Sequence, residues 1–397
     1  MLFTNYIEIL LGLKGVIIKN ITQTEKITSI DIEMKLKPHN CPCCGTETRT
    51  IHDYRWQKIK DIPAFGKHVI LHLRKRRYRC SHCGKRFYED NDFLPKYHRM
   101  TSRLCAYIIQ ILSDVRSFSS VARDVNLSVS TVIRLFDLVQ YSPGELPSVL
   151  SIDEFKGNTD REKYQCIITD PVNRCILDIL PSREKYHLVK YFKKFDRSNT
   201  AYFVSDMWST YSDISYTFFK NAIFVVDKYH YIRQVIWAFE AIRKEVQKQL
   251  SPERRKYFKR SRALLNKRFE YISDEQKQQV NIMLYTSETL NDAYWLKEKF
   301  LRILDCNDSI SARKQLSDWV MAASNSGIKR FIKCAKTMVN WSDGILNSFD
   351  CKYTNGFTEG CNNKIKVLKR NAYGYRNFRR FRNRILHIFN YNKNEVA

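Results

Sequence analysis

The chain has 397 residues, of which 44% are hydrophobic and 13% aromatic, and its 68 Lys and Arg outnumber its 41 Asp and Glu. This composition excludes a disordered protein and is sufficient for two to four domains with hydrophobic cores. The formal net charge of +27 favours a polyanionic partner, and nucleic acid is the most common polyanion in a cell. A ribosomal or membrane-surface protein is the alternative class.

The sequence also bears on location. No apolar run approaches the ~20 residues that a bilayer-spanning helix needs. Residues 1–20 have no basic region before their apolar residues and no small-residue cleavage site, so they do not resemble a signal peptide. We therefore expect a mature N-terminus and a cytoplasmic protein without a membrane partner.

Two C-x-x-C pairs predict a zinc site. Cys41 and Cys44 form the first pair, and Cys80 and Cys83 form the second. The spacing allows both thiolates of a pair to bind one ion, and the glycine after each pair permits a tight backbone turn. The segment between the pairs alternates in polarity, which predicts the strands of a zinc ribbon with an inserted hairpin.

Three nearby residues leave the ligand set open. Cys43 lies inside the first pair but out of spacing, and either His39 or His82 is close enough in sequence to replace a cysteine. Two unrelated pairs of reduced cysteines are the alternative interpretation. In a long chain with no signal peptide, clustered cysteines favour metal, so we expect one structural zinc ion.

A basic run lies within the predicted ribbon. Residues 74–86 carry seven cations and no acid. Such a run is either a solvated face or a surface that binds phosphates. On a metal-bound hairpin we expect DNA backbone contacts, with Arg74, Arg76 and Arg77 as the predicted residues.

Residues 101–140 have the pattern of a helix-turn-helix. Thr101 is suited to cap a first helix, Ala122 is small where two helices cross closely, and Ser128 is suited to cap the second helix of the motif. A helical hairpin that does not bind DNA is the alternative. If the motif binds DNA, the residues that face the major groove are Ser130, Thr131 and Arg134.

From Pro147 the pattern changes to three short strands, a helix, and then strand, helix and strand. This order predicts a ribonuclease-H-like fold, in which the acid of the first strand and the acid that ends the fourth strand lie side by side. Asp153 and Asp206 occupy those two positions. An aspartate at a strand end or a helix cap is the alternative for each one taken alone.

Glu359 is the one acid in residues 355–378, which otherwise carry many cations. We interpret it as a third metal ligand. Three carboxylates suit two Mg²⁺ or Mn²⁺ ions about 3.5–4 Å apart, the arrangement used in phosphodiester chemistry. Residues four and seven apart share a helix face. We therefore expect Asn363, Lys366 and Arg370 to contact DNA, with an ordinary solvated helix as the alternative.

The roughly 150 residues between Asp206 and Glu359 are far too many for a loop. Apolar residues at helical spacing predict an all-α insertion there. Its basic face either binds DNA or a partner subunit, or is simply solvated.

The motifs together resemble those of the DDE transposases of bacterial insertion sequences, in particular the ISL-three family. The matching segments, besides the cysteine pairs, are residues 151–154, 205–211, 355–360, 363–366 and 370–375. The resemblance implies that Asp153, Asp206 and Glu359 are the metal-binding catalytic triad of an enzyme that cuts and transfers DNA strands.

A further resemblance concerns His230. The segment Asp227-Lys228-Tyr229-His230 resembles the D-x-x-H motif found after the second aspartate in many such enzymes. His230 is therefore expected to hydrogen-bond the scissile phosphate or to orient Asp206. The alternative is a histidine buried in the core with its hydrogen bonds satisfied.

The predicted fold is a multidomain α/β protein, with a ribonuclease-H-like catalytic core interrupted by an all-α insertion and preceded by a zinc ribbon and a helix-turn-helix. The expected domains are residues 1–98 (zinc-binding), 99–146 (helix-turn-helix), 147–232 (core, first part), 233–345 (insertion) and 346–397 (core, second part, with a basic tail). The expected partner is double-stranded DNA, bound as a homodimer or larger assembly. A non-catalytic DNA-binding regulator and a structure-specific nuclease are the alternative functions.

Overall fold

The computed structural model describes residues 11–258 and 261–391, which form two compact units. The first unit takes its described residues from 1–141, 366–375 and 379–397, and the second from 142–365 and 376–378. Residues 1–10, half of the segment interpreted above as a mature N-terminus, lie outside the described residues. Among the helices that the structure describes, none combines the length and the apolar character required to span a bilayer.

The first unit begins with a sheet of long strands. Strands β1 to β7 are Val16–Gln23, Ile27–Met34, His39–Asn40, Glu47–Thr48, Ile51–Ala64, Lys67–Arg79 and Arg86–Tyr88. The main sheet has the order β1-β2-β6-β5, with β7 paired to β6, while β3 pairs with β4. Strands β5 and β6 form the long hairpin predicted between the two cysteine pairs. Ile32, Leu71 and Leu73 are fully buried and form the centre of this unit's first core.

The helix-turn-helix follows, as predicted. Helices α1 to α3 are Ser102–Ile111, Phe118–Asp124 and Val129–Phe136. The side chains of Thr101, Ser117 and Ser128 each accept a hydrogen bond from the backbone N–H three residues later, which caps the three helices. Val121 and Val132 are fully buried between the helices.

The second unit contains the predicted ribonuclease-H-like sheet. Strands β8 to β12 are Val149–Thr159, Glu162–Asp170, Cys175–Leu180, Tyr202–Ser205 and Ile223–Val226, with helices α4 (Lys185–Phe192) and α5 (Ser209–Phe218) between them. The sheet order is β10-β9-β8-β11-β12. The first three strands are antiparallel, and β11 runs parallel to both β8 and β12. The register pairs Val204 with Ser151, so the end of β11 lies beside the first half of β8.

Helices fill the long segment before Glu359, as predicted. Helices α6 to α14 are Lys228–Gln249, Pro252–Arg255, Ser261–Leu265, Asp274–Tyr285, Glu288–Ile303, Ser309–Ser324, Lys329–Asn340, Ser342–Asp350 and Gly356–Asn371. One hydrophobic core runs from Leu150 in the sheet to Trp319 and Phe331 in these helices. A Cβ atom on Gly344 of α13 would lie 2.7 Å from Val226 of β12, so helix and strand are in close contact. The insertion therefore shares the core of the sheet.

The last helix differs from the predicted domain boundary, which assigned residues 346–397 to the catalytic core. Helix α15 (Phe378–Asn390) packs in the first unit, against the helix-turn-helix. Arg380 forms two 2.8 Å hydrogen bonds to Asp137, and the buried Arg384 donates to the backbone carbonyls of Asp114 and Arg116. These contacts satisfy carbonyl groups in the loop after α1, so α15 packs as part of the helix-turn-helix unit.

Candidate active site

The sheet brings two of the predicted acids together. Asp153 lies within β8, and Asp206 directly follows β11, its parallel neighbour. One carboxylate oxygen from each, together with one from Glu154, lie within 4.8 Å of one another. This separation allows all three carboxylates to reach a single metal ion. Glu154 was not predicted, because successive residues of a strand are expected to face opposite sides of the sheet.

A second group of metal-binding side chains contains the third predicted acid. Glu359 in the first turn of α14, Asp227 at the end of β12 and His230 in the first turn of α6 have ligand atoms within 4.8 Å of one another. His230 Nε2 lies 3.9 Å from Glu359 Oε1. The structure therefore places His230 beside Glu359 and Asp227, whereas the predicted role of orienting Asp206 would need it beside that aspartate.

The pKa values show that the carboxyl groups act on one another. Burial raises the pKa of Asp153 well above its usual range, and the charges of Glu154, Asp206 and Glu359 raise it further. Burial raises the pKa of Asp206 to about 7, and Glu154 adds to this shift. Because the charge of Glu359 acts on Asp153, the two groups are electrostatically coupled, and a divalent cation would stabilise their ionised forms.

A buried polar network fixes the start of α14 against the sheet. Thr358 Oγ1 lies 2.7 Å from Thr169 Oγ1 and 3.2 Å from Ser151 Oγ, and Ser151 also donates a hydrogen bond to Asn355. All four side chains are buried. Because these contacts join the residue before Glu359 to strands β8 and β9, they determine where the Glu359 carboxylate enters the site.

Individual carboxylates are also held in place. Asn362, one helical turn after Glu359, donates a 2.9 Å hydrogen bond to Asp153 Oδ2. The backbone N–H of Trp208 donates to Asp206 Oδ1 at 3.1 Å. Arg183 donates to Glu154 Oε1 at 2.9 Å. The role of Asn362 was not predicted, although its spacing of three residues from Glu359 is the signal for a shared helix face.

His230 is buried next to a cation. Burial lowers its pKa, Arg233 lowers it further, and Asp227 opposes both. The imidazole is therefore neutral at pH 7, with one ring nitrogen able to accept a hydrogen bond. Its Nε2 atom is buried and has no hydrogen-bond partner within the residues that the structure describes.

The raised pKa of Asp206 predicts how stability depends on pH when no metal is bound. Its usual value is 3.8 and its folded value about 7, so the carboxyl group is protonated in the folded protein and ionised in the unfolded chain between these pH values. The free energy of unfolding should therefore fall as the pH rises from about 4 to about 7. Asp206→Asn should weaken this dependence and stabilise the metal-free protein at pH 8 by about 1–4 kcal/mol.

Urea unfolding in a chelator at pH 5 and pH 8 measures this effect. Tryptophan fluorescence reports mainly on the second unit, which holds every tryptophan except Trp56. Asp213→Asn, on an exposed helix surface, is the matched control. If the free energy of unfolding depended on pH equally in Asp206→Asn and Asp213→Asn, the result would contradict a raised pKa of Asp206.

The predicted zinc ligands also lie together, in the first unit. The Sγ atoms of Cys41, Cys44, Cys80 and Cys83 are all within 4.8 Å of one another, with Cys41–Cys83 and Cys44–Cys80 separations of 3.5 Å. Tetrahedral zinc with Zn–S distances of about 2.3 Å needs sulfur atoms about 3.8 Å apart, so the four thiols fit the ion. The glycines after the pairs have φ angles of 74° and 71°, the left-handed conformation predicted for these turns.

The structure also decides among the alternative zinc ligands. Cys43 and His82 are exposed and outside the four-sulfur group. His39 is buried and its ring lies 4.7 Å from that of Tyr78. Within the described residues, the group is therefore made by cysteines alone.

The predicted DNA contacts of the ribbon need one correction. Arg76 is buried, with ion pairs of 3.0 Å to Glu33 and 3.2 Å to Glu89. The prediction for Arg76 was wrong because it considered only the basic run, which contains no acid. The acids that pair with Arg76 lie elsewhere, Glu33 in strand β2 and Glu89 directly after β7. Arg74 and Arg77 are more accessible, although Arg74 also pairs with Glu33.

The other predicted DNA contacts lie on helix surfaces. Ser130 and Arg134 are exposed on α3, and Thr131 beside them is half-buried. Asn363, Lys366 and Arg370 are exposed along α14. Each is thus accessible to a polyanion in the described structure.

Comparisons with known proteins agree with the geometry. A family model described as a transposase matches residues 150–385, and two others match residues 37–83, as the zinc-finger of transposase IS204/IS1001/IS1096/IS1165, and 89–139, as the helix-turn-helix domain of transposase family ISL3. The chain is 28% identical over 365 residues to the transposase for insertion sequence element IS1001 of Bordetella parapertussis, which covers 88% of each protein.

A shorter match, 34% identical over 107 residues, is to an ATP-dependent protease of Lactococcus lactis subsp. lactis, and it covers 27% of this chain and 33% of that protein. This similarity covers too little of either protein to indicate the activity of the whole chain. The transposase model spans more than half of the chain, and the zinc-finger and helix-turn-helix models precede it in the family's order. The protein therefore belongs to the ISL3 family of insertion-sequence transposases.

Proposed function

We propose that this transposase cleaves DNA at the ends of its own element and transfers the strands to a new site, with Asp153, Asp206 and Glu359 as the metal-binding catalytic residues. The observation that carries the proposal is the placement of these acids, since Asp153 and Asp206 have carboxylate oxygens within 4.8 Å of one another, and Asn362, on the same helix as Glu359, bonds Asp153. A non-catalytic regulator would have no use for acids held together in this way.

The donor atoms fit Mg²⁺ or Mn²⁺, which prefer hard oxygen ligands. The donors are carboxylate oxygens on three different elements, and the buried Oδ1 atom of Asn362 beside them has no hydrogen-bond partner in the described residues. Two bound ions would supply activation of the attacking hydroxyl and stabilisation of the leaving oxygen. Asp153 and Asp206 would hold one ion, and Glu359 would complete the set of metal ligands.

The remaining residues of the site position these ligands. Asn362 orients Asp153 through its 2.9 Å hydrogen bond. Arg183 holds Glu154, and its positive charge acts on Asp206. The neutral His230 is placed to accept a proton or a hydrogen bond beside Glu359, where a scissile phosphate would lie.

DNA recognition belongs to the first unit and to α14. We propose that Ser130, Thr131 and Arg134 read base edges in the major groove, as the second helix of a helix-turn-helix does. Arg74, Arg77, Asn363, Lys366 and Arg370 contact the phosphate backbone. Four cysteines hold one structural zinc ion, which fixes the ribbon. The active assembly on DNA is a homodimer or larger, because two element ends must be brought together.

The phosphate contacts of α14 predict a change in salt dependence. Replacing Lys366 and Arg370 with Ala should weaken DNA binding to a similar degree for every sequence. Each lost phosphate contact should lower the slope of log K against log salt concentration by about 0.9, so the double variant should lose about 1.8. Fluorescence anisotropy between 50 and 300 mM salt measures the slope.

The control for this experiment must remove the same charge elsewhere. Arg313 and Lys336 are exposed cations on helices α11 and α12. Replacing both with Ala changes the net charge equally but should leave the slope unchanged. Equal slopes for the wild-type protein and the Lys366 and Arg370 double variant would remove α14 from the DNA-binding surface.

The test of the proposed function uses a duplex that contains the DNA flanking the gene, incubated with the protein and Mg²⁺ beside an unrelated target plasmid. The proposal expects breaks at the inverted-repeat end and joined products in the plasmid. Breaks without joining would favour the structure-specific nuclease, and binding without breaks would favour the regulator. Either outcome would overturn the proposal.

A further inference from the structure

An exposed row of flat side chains begins beside the candidate active site on helix α6. Tyr229 is 51% exposed and Trp237 is 54% exposed. Between them lies Arg233, whose guanidinium carbon is 5.1 Å from the centre of the Tyr229 ring and 4.4 Å from that of Trp237. We name these three residues the aromatic ladder.

The helix places the ladder along one face. Residues four apart are neighbours on a helix surface, and the rise of 1.5 Å per residue makes the ladder about 12 Å long. Within the described residues, no carboxylate forms an ion pair with Arg233, and its Nε atom is buried without a hydrogen-bond partner. The ladder thus combines two exposed aromatic side chains with a half-buried cation that forms no ion pair in the described structure.

The ladder is continuous with the carboxylates. The ring of Tyr229 lies 5.5 Å from that of His230, whose Nε2 is 3.9 Å from Glu359. The charge of Arg233 also acts on Asp206, since it is among the groups that lower the pKa of that carboxyl. A DNA strand whose phosphate enters the site therefore passes next to Tyr229 and Arg233.

These features match the chemistry of an unpaired nucleobase. Aromatic rings and guanidinium planes stack on every base with little sequence preference, and the cation complements the adjacent phosphates. Bases in an intact duplex are stacked on one another, so only an unpaired base offers a face to the ladder. A DNA strand that reaches the neighbouring carboxylates would supply both a base to stack and a phosphate to pair with Arg233.

We propose that the aromatic ladder Tyr229–Arg233–Trp237 stacks unpaired bases next to the phosphate held at the carboxylates. This inference rests on the proposed function, because it assigns the ladder to the DNA strand at that site. The ladder holds the strand end open after the duplex is disrupted, and it favours DNA with single-stranded ends over blunt duplex.

A binding experiment that compares three kinds of DNA end and four proteins tests the proposal. The probes are a 30-base-pair duplex with a blunt end, the same duplex with a three-thymine overhang, and the same duplex with an overhang of three abasic sites. Each overhang is tested on the 5′ and on the 3′ end, and all measurements are made without divalent metal. The proteins are wild type, Trp237→Ala, Trp237→Phe and Tyr285→Ala. Tyr285, at the end of helix α9, is an exposed aromatic residue and serves as the matched control.

The wild-type protein should bind the thymine overhang about 5- to 150-fold more tightly than the abasic overhang, the range expected for stacking of one base. Trp237→Ala should lose this preference, while its affinity for the blunt duplex, which also reports correct folding, stays within about twofold of wild type. Trp237→Phe and Tyr285→Ala should retain the preference.

Two outcomes would overturn the inference. The first is that the ratio of the affinities for the thymine overhang and the abasic overhang is the same in wild type and in Trp237→Ala. The second is a lost preference in Tyr285→Ala as large as that in Trp237→Ala. Both leave the proposed function intact, since the carboxylates do not take part in the experiment. Failure of the wild-type protein to bind any of the DNA probes would instead count against the proposed function itself.

Discussion

Asp153→Asn, Asp206→Asn and Glu359→Gln should each abolish cleavage and strand transfer while leaving the binding of terminal DNA nearly unchanged. Each substitution keeps the size of the side chain and removes one anionic ligand. Loss of metal-ion stabilisation is worth several kcal/mol in the transition state, so we expect rates to fall by about 10³-fold or more. Single-turnover cleavage of a labelled element end, with anisotropy for binding, measures both quantities.

Two controls make the comparison specific. Asp213→Asn removes an exposed carboxylate of the same unit and should cleave at the wild-type rate. Asn362→Ala removes the hydrogen bond to Asp153 but no metal ligand, so its rate should fall by only about 10- to 100-fold. Near-normal cleavage by any one of the three carboxylate variants would remove that residue from the proposed triad.

The double variant Cys80→Ser and Cys83→Ser should unfold the zinc ribbon and abolish specific binding to element ends. Structural zinc supplies about 10–16 kcal/mol of apparent binding energy in zinc-finger peptides, and this energy is also folding energy. The second unit should stay folded because its hydrophobic core, centred on residues such as Trp319, includes no side chain of the ribbon. Elemental analysis, circular dichroism and tryptophan fluorescence separate these effects.

Cys43→Ser is the matched control, because Cys43 is an exposed cysteine between two proposed ligands and outside the four-sulfur group. It should bind one equivalent of zinc and recognise DNA as the wild type does. Less than about half an equivalent of zinc in the reduced wild-type protein would argue against the site. Normal folding of the double variant would show that the ribbon's own core is sufficient.

Local patterns predicted much of this structure. The helix caps at Thr101 and Ser128 depend on side-chain bonds to residues three positions away, and such short-range rules can be read from the sequence. The order of strands β8 to β12 followed from the alternation of apolar segments and turns. Asp153 and Asp206 were predicted from that order, because the parallel pairing of β8 and β11 brings the end of β11 beside the first half of β8.

The features that were missed depend on contacts between distant segments. Arg76 belongs to a basic run, yet its partners Glu33 and Glu89 reach it from a parallel neighbouring strand and from the residue after β7. Helix α15 joins the helix-turn-helix because Arg384 satisfies carbonyls about 270 residues earlier in the chain. The charge pattern of one segment does not show which distant residues will pair with it in the folded protein.

The insertion shows the same limit. Its helical periodicity was clear in the sequence, but periodicity does not say which core a helix covers. In the structure, Asn347 donates a 2.8 Å hydrogen bond to the carbonyl of Phe224 in β12, and the apolar faces of these helices extend the core of the sheet. The part of the insertion that shares this core positions the site, since Glu359 lies shortly after α13.

Iron-directed cleavage of the protein tests the central claim most directly. Fe²⁺ is allowed to replace Mg²⁺ in the purified protein bound to terminal DNA, and peroxide then generates hydroxyl radicals that cut the polypeptide beside the bound metal. The proposed site predicts cuts near Asp153, Asp206 and Glu359, all suppressed by excess Mg²⁺ and absent from Asp153→Asn. Cuts confined to other segments, or cuts at these positions that excess Mg²⁺ does not suppress, would contradict a metal site built from these three acids.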